Sequence, residues 1–230
     1  MDSTARGGWY ILREAVKGRG IDLNGARVAV QGFGNVGSFA ALLGQELFGA
    51  RIVAVSDSRG GVFSEKGLNI RDVLTHKKKT GRISGFPGAA EITNDDLLAL
   101  DVDILIPAAL ENVITASNME TVSAKIIAEF ANGPISSEAD PYFHQNGILV
   151  LPDILCNGGG VIVSYYEMVQ NFNMDHWDEA EVYRRLEKSI LASYNSVHEL
   201  AAKNNVPMRQ AAYAIAITRV VKAMQLRGWV

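Results

Sequence analysis

Apolar positions along the chain follow two spacings. Short apolar runs at 27–31, 52–55, 103–106, 125–130 and 148–151 have the length and β-branched content of buried strands. Between them the spacing widens to that of helices. Phe39, Leu42, Leu43 and Leu47 mark one helix, and residues 69–79 a second that stops near Gly81. Thr93-Asn94-Asp95-Asp96 reads as the cap of a short helix through Leu98, and Ser137 as the cap of another running towards Gln145 and ended by Gly147. Ahead of the first run, residues 5–19 place Trp9, Leu12 and Val16 on one helical face, broken by Gly18, Gly20 and Asn24-Gly25. Asp57-Ser58-Arg59-Gly60-Gly61 reads as a turn before a short extended piece at Val62-Phe63, and Phe86-Pro87-Gly88 as loop.

The last third changes character. Asn157-Gly158-Gly159-Gly160 leads into a helix to about Phe172, and Val182, Leu186, Ile190, Val197 and Leu200 mark a longer one. Pro207 sits near the first turn of a final helix carrying Tyr213, Ile217, Val220 and Met224. That helix also holds Ala211, Ala212, Ala214, Ile215 and Val221, so it is apolar on more than one side. No linker or repeat divides the chain. We read 1–230 as one unit, with an α/β core over about 20–155 and C-terminal helices over 156–230.

One stretch gives this alternation a chemistry. Gly32-Phe33-Gly34-Asn35-Val36-Gly37 follows the first apolar run and opens the first core helix, and Asp57 lies 20 positions beyond Gly37, after the second run. Strand, glycine turn, helix and distal acid together form a dinucleotide-binding context. Gly32 permits the tight turn, Gly34 lets backbone approach a pyrophosphate, and Gly37 lets helix pack on strand. The helix N-terminus offers unpaired N–H groups to the phosphates. The fold class is therefore α/β: a Rossmann-like, doubly wound, mostly parallel sheet with helices on both faces and a helical C-terminal tail. Ligands in such sheets sit at the carboxyl ends of the strands. Those ends carry Asp57-Ser58, Pro107-Ala108-Ala109, Asn132 and the loop 153–160. Asn132 reads equally as a turn residue before Gly133, and Asn157 as a helix cap. Asp57 favours NAD, whereas Ser58 and Arg59 are able to donate to the 2′-phosphate of NADP.

Composition narrows the field. The chain has 230 residues, 48 % hydrophobic and 20 % charged, which suits a globular fold with a large core. A net charge of −3 gives no electrostatic case for nucleic acid or an anionic membrane. The start lacks the apolar core of a signal peptide, and no apolar run approaches the ~18 residues of a membrane span. With a single cysteine, Cys156, the expected setting is a reducing cytoplasm. Cys156 reads as packing. The four histidines share no ligating spacing, so neither a metal site nor a catalytic triad is expected. His76-Lys77-Lys78-Lys79 reads as a solvated helix C-terminus.

Six motifs in order point to one family: Thr4-Ala5-Arg6-Gly7, the glycine turn, Ser56-Asp57-Ser58, Pro107-Ala108-Ala109, Ala131-Asn132-Gly133-Pro134 and Cys156-Asn157-Gly158-Gly159-Gly160-Val161-Ile162-Val163-Ser164-Tyr165. Over nearly its whole length the chain resembles the cofactor-binding half of a glutamate dehydrogenase of the kind seen in archaea and bacteria. The resemblance implies NAD or NADP as cofactor. Thr4 would contact the nicotinamide carboxamide, and Phe33, Asn35 and Val36 would hold the pyrophosphate with Gly32, Gly34 and Gly37. Asp57 and Ser58 would take the adenine ribose, Ala108 and Ala109 would line the dinucleotide site, and Asn132 and Asn157 the nicotinamide side. Val161 and Ser164 would face the substrate, Ser164 donating to the side-chain carboxylate of glutamate. Leucine, phenylalanine and valine dehydrogenases are similar but place an apolar residue there, as suits a hydrocarbon.

The family's lysines and aspartate come from a separate N-terminal substrate domain, and its lysine-glycine-glycine segment and proline-aspartate loop are not in this sequence. None of Lys17, Lys66, Lys125, Lys188, Lys203 or Lys222 takes the role. The expectation is an isolated domain with no catalytic residues of its own, which binds cofactor without turnover. The parent would be a homohexamer that exchanges glutamate with 2-oxoglutarate and ammonium by hydride transfer. Hexamer formation in the family depends heavily on that other half, so the isolated domain would be a monomer or weak oligomer; apolar surface around 213–224 would be left exposed and favours association. The alternatives are a non-catalytic NAD(P)-binding or interaction module, and a domain of a leucine, phenylalanine or valine dehydrogenase.

Overall fold

The computed structural model describes residues 2–229. Helix α1 (Ser3–Ala15) precedes β1 (Arg27–Gln31), the glycine turn, α2 (Asn35–Phe48) and β2 (Arg51–Asp57). Then come β3 (Gly60–Phe63), α3 (Ile70–Thr80), β4 (Ala90–Ile92), α4 (Asn94–Leu98), β5 (Ile104–Pro107), β6 (Ile126–Ala128), α5 (Asp140–Gln145) and β7 (Leu149–Leu151). Helices α6 (Asp153–Cys156), α7 (Gly159–Asn173), α8 (Glu179–Asn204) and α9 (Met208–Leu226) follow.

The strands described form one sheet in the order β4-β3-β2-β1-β5-β6-β7. Strands β2, β1, β5, β6 and β7 are parallel, and β3 and β4 add an antiparallel edge. The chain leaves β1 for β2 on one side and later returns to β5 on the other. Strand order thus reverses between β1 and β5, and the crevice beyond their carboxyl ends is where such a sheet takes a ligand. Successive strand residues face opposite sides. Val28, Val30, Ile104 and Ile106 join the core beneath α1, α2 and α8, while Ala29, Leu105 and Ile127 join the core with Leu97, Leu98 and Phe143. Complete burial of each such aliphatic side chain stabilises by about 1.5–3 kcal/mol.

Helix α1 is held from three directions. The Trp9 indole N–H donates to the Ala40 carbonyl at 2.8 Å, and its ring stacks on Phe48 at 5.2 Å. Arg6 donates to the Asp2 carboxylate and lies 3.8 Å over the Tyr183 ring of α8, whose hydroxyl also donates to Asp2 at 3.0 Å. Against α7 the contact is backbone on backbone. A Cβ on Gly159 would sit 2.1 Å from the Ser3 carbonyl oxygen, and one on Gly7 would sit 3.0 Å from Gly159 Cα. The glycines of two separate motifs meet here and set how closely the helices cross.

The α/β reading holds, and the differences lie at its margins. Helix α1 ends at Ala15 in one 3-10 turn (Val16–Gly18), short of the expected 19. Thr93 caps α4 as expected, in a reciprocal pair with Asp96, and Asn69, expected as the first helical residue, is instead the cap of α3. Ser137 is not a cap. Residues 136–139 form a separate turn, and α5 starts at Asp140-Pro141. Strand β6 stops at Ala128, so Glu129 and Phe130 lie beyond it. The sequence pattern assigns no element to 90–92, where the structure forms β4, a largely exposed three-residue edge whose only partly buried residue is Ile92. One-turn helix α6 falls in the expected loop. Helix α9 buries Met208, Ala211 and Ala212 while exposing Tyr213, Ile217 and Val220, so it is apolar on both sides.

Candidate functional site

The glycine turn has the shape its residue types require. Gly32 has φ +95°, in the region that glycine enters without strain. Its N–H donates to the Ser56 carbonyl at 3.0 Å, tying the turn to β2. A Cβ on Gly37 would fall 1.7 Å from the Gly32 carbonyl oxygen, so the turn folds directly onto the first turn of α2. Gly34 differs: a Cβ there would meet no atom of the chain within 4 Å. Nothing in the fold demands glycine at this position, and the space beside it faces outward at the N-terminus of α2. No side chain caps that terminus, so its first N–H groups remain available to an anion. A pyrophosphate fits this cradle. Asn35 is exposed and Val36 partly so, whereas the Phe33 ring belongs to the core and offers the turn only its backbone.

At the end of β2, Asp57 is held by its surroundings. Its carboxylate accepts from Arg59 N–H at 2.9 Å and from Ile83 N–H at 3.3 Å. Lys77 Nζ stands 3.6 Å from the same carboxylate and donates to the Phe33 carbonyl at 2.8 Å. The solvated reading of 76–79 therefore fails for Lys77, which reaches back from the last turn of α3 to both the glycine turn and the acid. Sequence spacing gave no sign of this, because the contact spans 44 residues. Ser58 and Arg59 are exposed beside it.

On the other side of α2, a cleft of about 590 Å³ gathers Thr4, Val36, Ala108, Ala109, Asn132, Asn157, Val161 and Ser164. These residues come from α1, α2 and α7 and from the segments just past β5, β6 and α6, and all were singled out from sequence. Phe130, Ala131 and Gly160 complete the walls. The Gly7–Gly159 crossing puts Thr4 here: a Cβ on Gly160 would lie 2.6 Å from Thr4 Oγ1. Asn157 Nδ2 donates to Asn132 Oδ1 at 2.7 Å. That leaves Asn132 Nδ2 as a donor and Asn157 Oδ1 as an acceptor, the complement of a carboxamide. Asn157 caps the C-terminus of α6, and the N-cap of α7 is Gly158. Ser193 and Ser196 donate back to carbonyls one turn earlier, but Ser164 makes no such bond and keeps its hydroxyl for the cleft.

Beneath the cleft lies a network that the sequence did not suggest. Arg209 of α9 donates to Glu129 at 2.6 Å, Asp140 at 2.9 Å and Asp153 at 3.1 Å. Glu129 is fully buried, and burial outweighs the attraction of Arg209 and the N–H of Asp153, pushing its carboxyl up to about 7. Cys156 is buried next to it. Burial first, then Glu129 and Asp153, raise its thiol well above the ordinary range, as expected of a packing residue. Among the described residues, no group of three or more His, Cys, Asp or Glu side chains is arranged to hold a metal, and no helix is long and apolar enough to cross a membrane.

Comparison with known proteins adds a family to this geometry. The family model for glutamate/leucine/phenylalanine/valine dehydrogenase matches residues 1–228. The chain is 48 % identical to the glutamate dehydrogenase of Thermotoga maritima, over 99 % of this chain and 55 % of that protein. It is 42 % identical to the cryptic catabolic NAD-specific glutamate dehydrogenase of Bacillus subtilis, over 99 % and 53 %. The hetero-hexameric glutamate dehydrogenase of Thermus thermophilus superposes with a TM-score of 0.92 at 35 % identity, over 98 % of this chain and 53 % of that one. The chain thus spans about half the length of the curated relatives it matches.

Proposed function

The chain belongs to the glutamate/leucine/phenylalanine/valine dehydrogenase family, and from that premise we propose that it is the nicotinamide-dinucleotide-binding half of a glutamate dehydrogenase. The observation that carries this reading is the single cleft in which Thr4, Asn132, Asn157 and Ser164 converge beside the glycine turn. In this reading residues 20–155 hold the dinucleotide and 156–230 complete its nicotinamide and substrate sides. When bound, the dinucleotide supplies the hydride acceptor. The α2 N-terminus and Gly34 receive its pyrophosphate, Asp57 accepts from the adenine ribose, and Thr4, Asn132 and Asn157 orient the carboxamide. Ala108 and Val36 line the dinucleotide site, while Val161 leaves room for substrate.

Ser164 sets the substrate class. Its hydroxyl is free of backbone bonds and shares the cleft with Thr4, Asn132 and Asn157 as well as Val161, Ala131 and Phe130; a donor there favours a side-chain carboxylate over a hydrocarbon, which supports glutamate against leucine or phenylalanine. Asp57 opposes a 2′-phosphate, and Lys77 with Arg59 offsets it, so the reading admits NAD and NADP, with NAD preferred. The proton chemistry at glutamate belongs to lysines and an aspartate of a second half, as in the family pattern. Exposed Val161, Tyr165 and Phe172 on α7 and Tyr213, Ile217 and Val220 on α9 suit a face that such a half covers. The test joins the chain to the part of the Thermotoga relative that it does not span. The joined protein is expected to reduce NAD with glutamate and not with leucine, and the chain alone to bind NADH without turnover. Preference for leucine in the joined protein would overturn the assignment.

A further inference from the structure

We propose that Arg209 is a positioning residue for the nicotinamide end of the cleft, acting through Asp153 on both asparagines that face the carboxamide. The inference rests on the dinucleotide reading of that cleft. Arg209 lies on α9, outside the strand ends where ligand residues gather, and it lines no wall of the site. Its guanidinium binds three carboxylates from three elements: Glu129 just past β6, Asp140 opening α5 and Asp153 opening α6. Asp153 is the one that leads outward. Its Oδ2 accepts from Gly133 N–H at 2.8 Å, while its Oδ1 accepts from Arg209 and from Ile154 N–H at 2.7 Å. Its own N–H donates to Glu129 at 2.7 Å, and its carbonyl accepts from Asn157 N–H at 3.0 Å.

Asn132 immediately precedes Gly133, which sits at φ +53°. One aspartate thus fixes the turn that carries Asn132 and the short helix that ends on Asn157, and the two asparagines then bond each other at 2.7 Å. The orientation of that carboxylate depends on Arg209. Three acids converge on one guanidinium, and without it the Glu129 and Asp153 carboxyl groups lose the donor they share and stay joined only through the Asp153 N–H. Asp153 is then free to turn away from Gly133. The competing account makes Arg209 a simple anchor of α9 on the sheet, in which case its loss weakens the fold without favouring one end of the ligand over the other.

The test compares NADH with ADP-ribose, which lacks the nicotinamide, by calorimetric titration of wild type, Arg209→Lys and the near-isosteric Asp153→Asn. Loss of a carboxamide hydrogen bond is worth about tenfold in affinity. Both variants are expected to weaken NADH by about that factor, to hold ADP-ribose within about twofold, and to shift the Gly133 amide resonance. Equal weakening of both ligands, or unchanged NADH binding with a shifted Gly133 resonance, would overturn the inference while leaving the functional reading in place. Should Arg209→Lys fail to fold, Asp153→Asn decides alone by the same split. A wild-type chain that binds neither ligand would overturn the functional reading and this inference with it.

Discussion

Substituting Gly159→Ala separates close helix packing from every other contribution to the site. The added Cβ would lie 2.1 Å from the Ser3 carbonyl oxygen, and that backbone atom cannot rotate aside. A carbon–oxygen contact needs about 3.3 Å, so α1 and α7 must part by roughly 1 Å. Overpacking of this kind costs about 1–3 kcal/mol. A fixed backbone obstacle puts this case at the upper end, and the better helix propensity of alanine returns at most about 1 kcal/mol. The net loss is about 2 kcal/mol, or roughly 4–8 °C in Tm for a chain of this length. Thr4 moves with α1, so NADH affinity falls as well. Urea denaturation and thermal melting read the first effect and fluorescence titration the second. Gly18→Ala is the control, because a Cβ there meets nothing within 4 Å; it is expected to be neutral or to stabilise by about 0.4–1 kcal/mol. A Gly159→Ala protein that melts with wild type and binds NADH equally well would refute the packing argument.

Three further outcomes follow from the same geometry. Lys77→Gln removes the cation 3.6 Å from Asp57; competitive titration should show NADP weakened about tenfold and NAD within about twofold, and equal effects on both would show that Lys77 does not read the 2′ position. Burial raises Glu129 to about 7, so the folded chain holds a proton that the unfolded chain releases near 4.5. That contribution is fully present below about 4.5 and is lost as pH rises through 7. Unfolding free energies from urea titration should therefore fall between pH 5 and 8, by at most about 3 kcal/mol, and Glu129→Gln should flatten the slope; an unchanged slope would show that Glu129 is ionised throughout. The exposed face of α9 should make the chain associate weakly as concentration rises in sedimentation velocity, with Ile217→Glu restoring a monomer; a stable hexamer would contradict this.

The sequence announces a residue whose neighbours in the chain explain it. Gly32, Gly34 and Gly37 are legible because turn, helix start and strand end all fall within a few positions, and the strand runs are legible because both faces of the sheet are buried. Thr4 and Ser164 were readable only through the family resemblance, whereas Asn132 and Asn157 were marked by their place at the strand ends, although each also read as a turn or cap residue. The long-range contacts were not legible. Lys77 looks like any cation ending a helix until the fold brings it to Asp57. Arg209 sits in an apolar helix, and its three acids are 80, 69 and 56 residues away. Strand β4 escaped because an exposed edge needs no apolar alternation, and α6 because a single turn has no period to detect. The same glycines that looked like motif punctuation, Gly7 and Gly159, proved to be the contact surface of two helices.

The central claim is that the turn at Gly32–Gly37 receives linked phosphates, and Gly34 isolates it. Because a Cβ at Gly34 meets no atom of the chain, Gly34→Ala should keep the fold, with no more than the ~1 kcal/mol that a poorer N-cap residue costs. Calorimetric titration with NADH is therefore the decisive measurement. Wild type is expected to bind, and Gly34→Ala to unfold in nearly the same urea concentration yet lose affinity by about a hundredfold, as a methyl group occupies the space of a phosphate oxygen. Equal affinity in the two proteins would contradict the account.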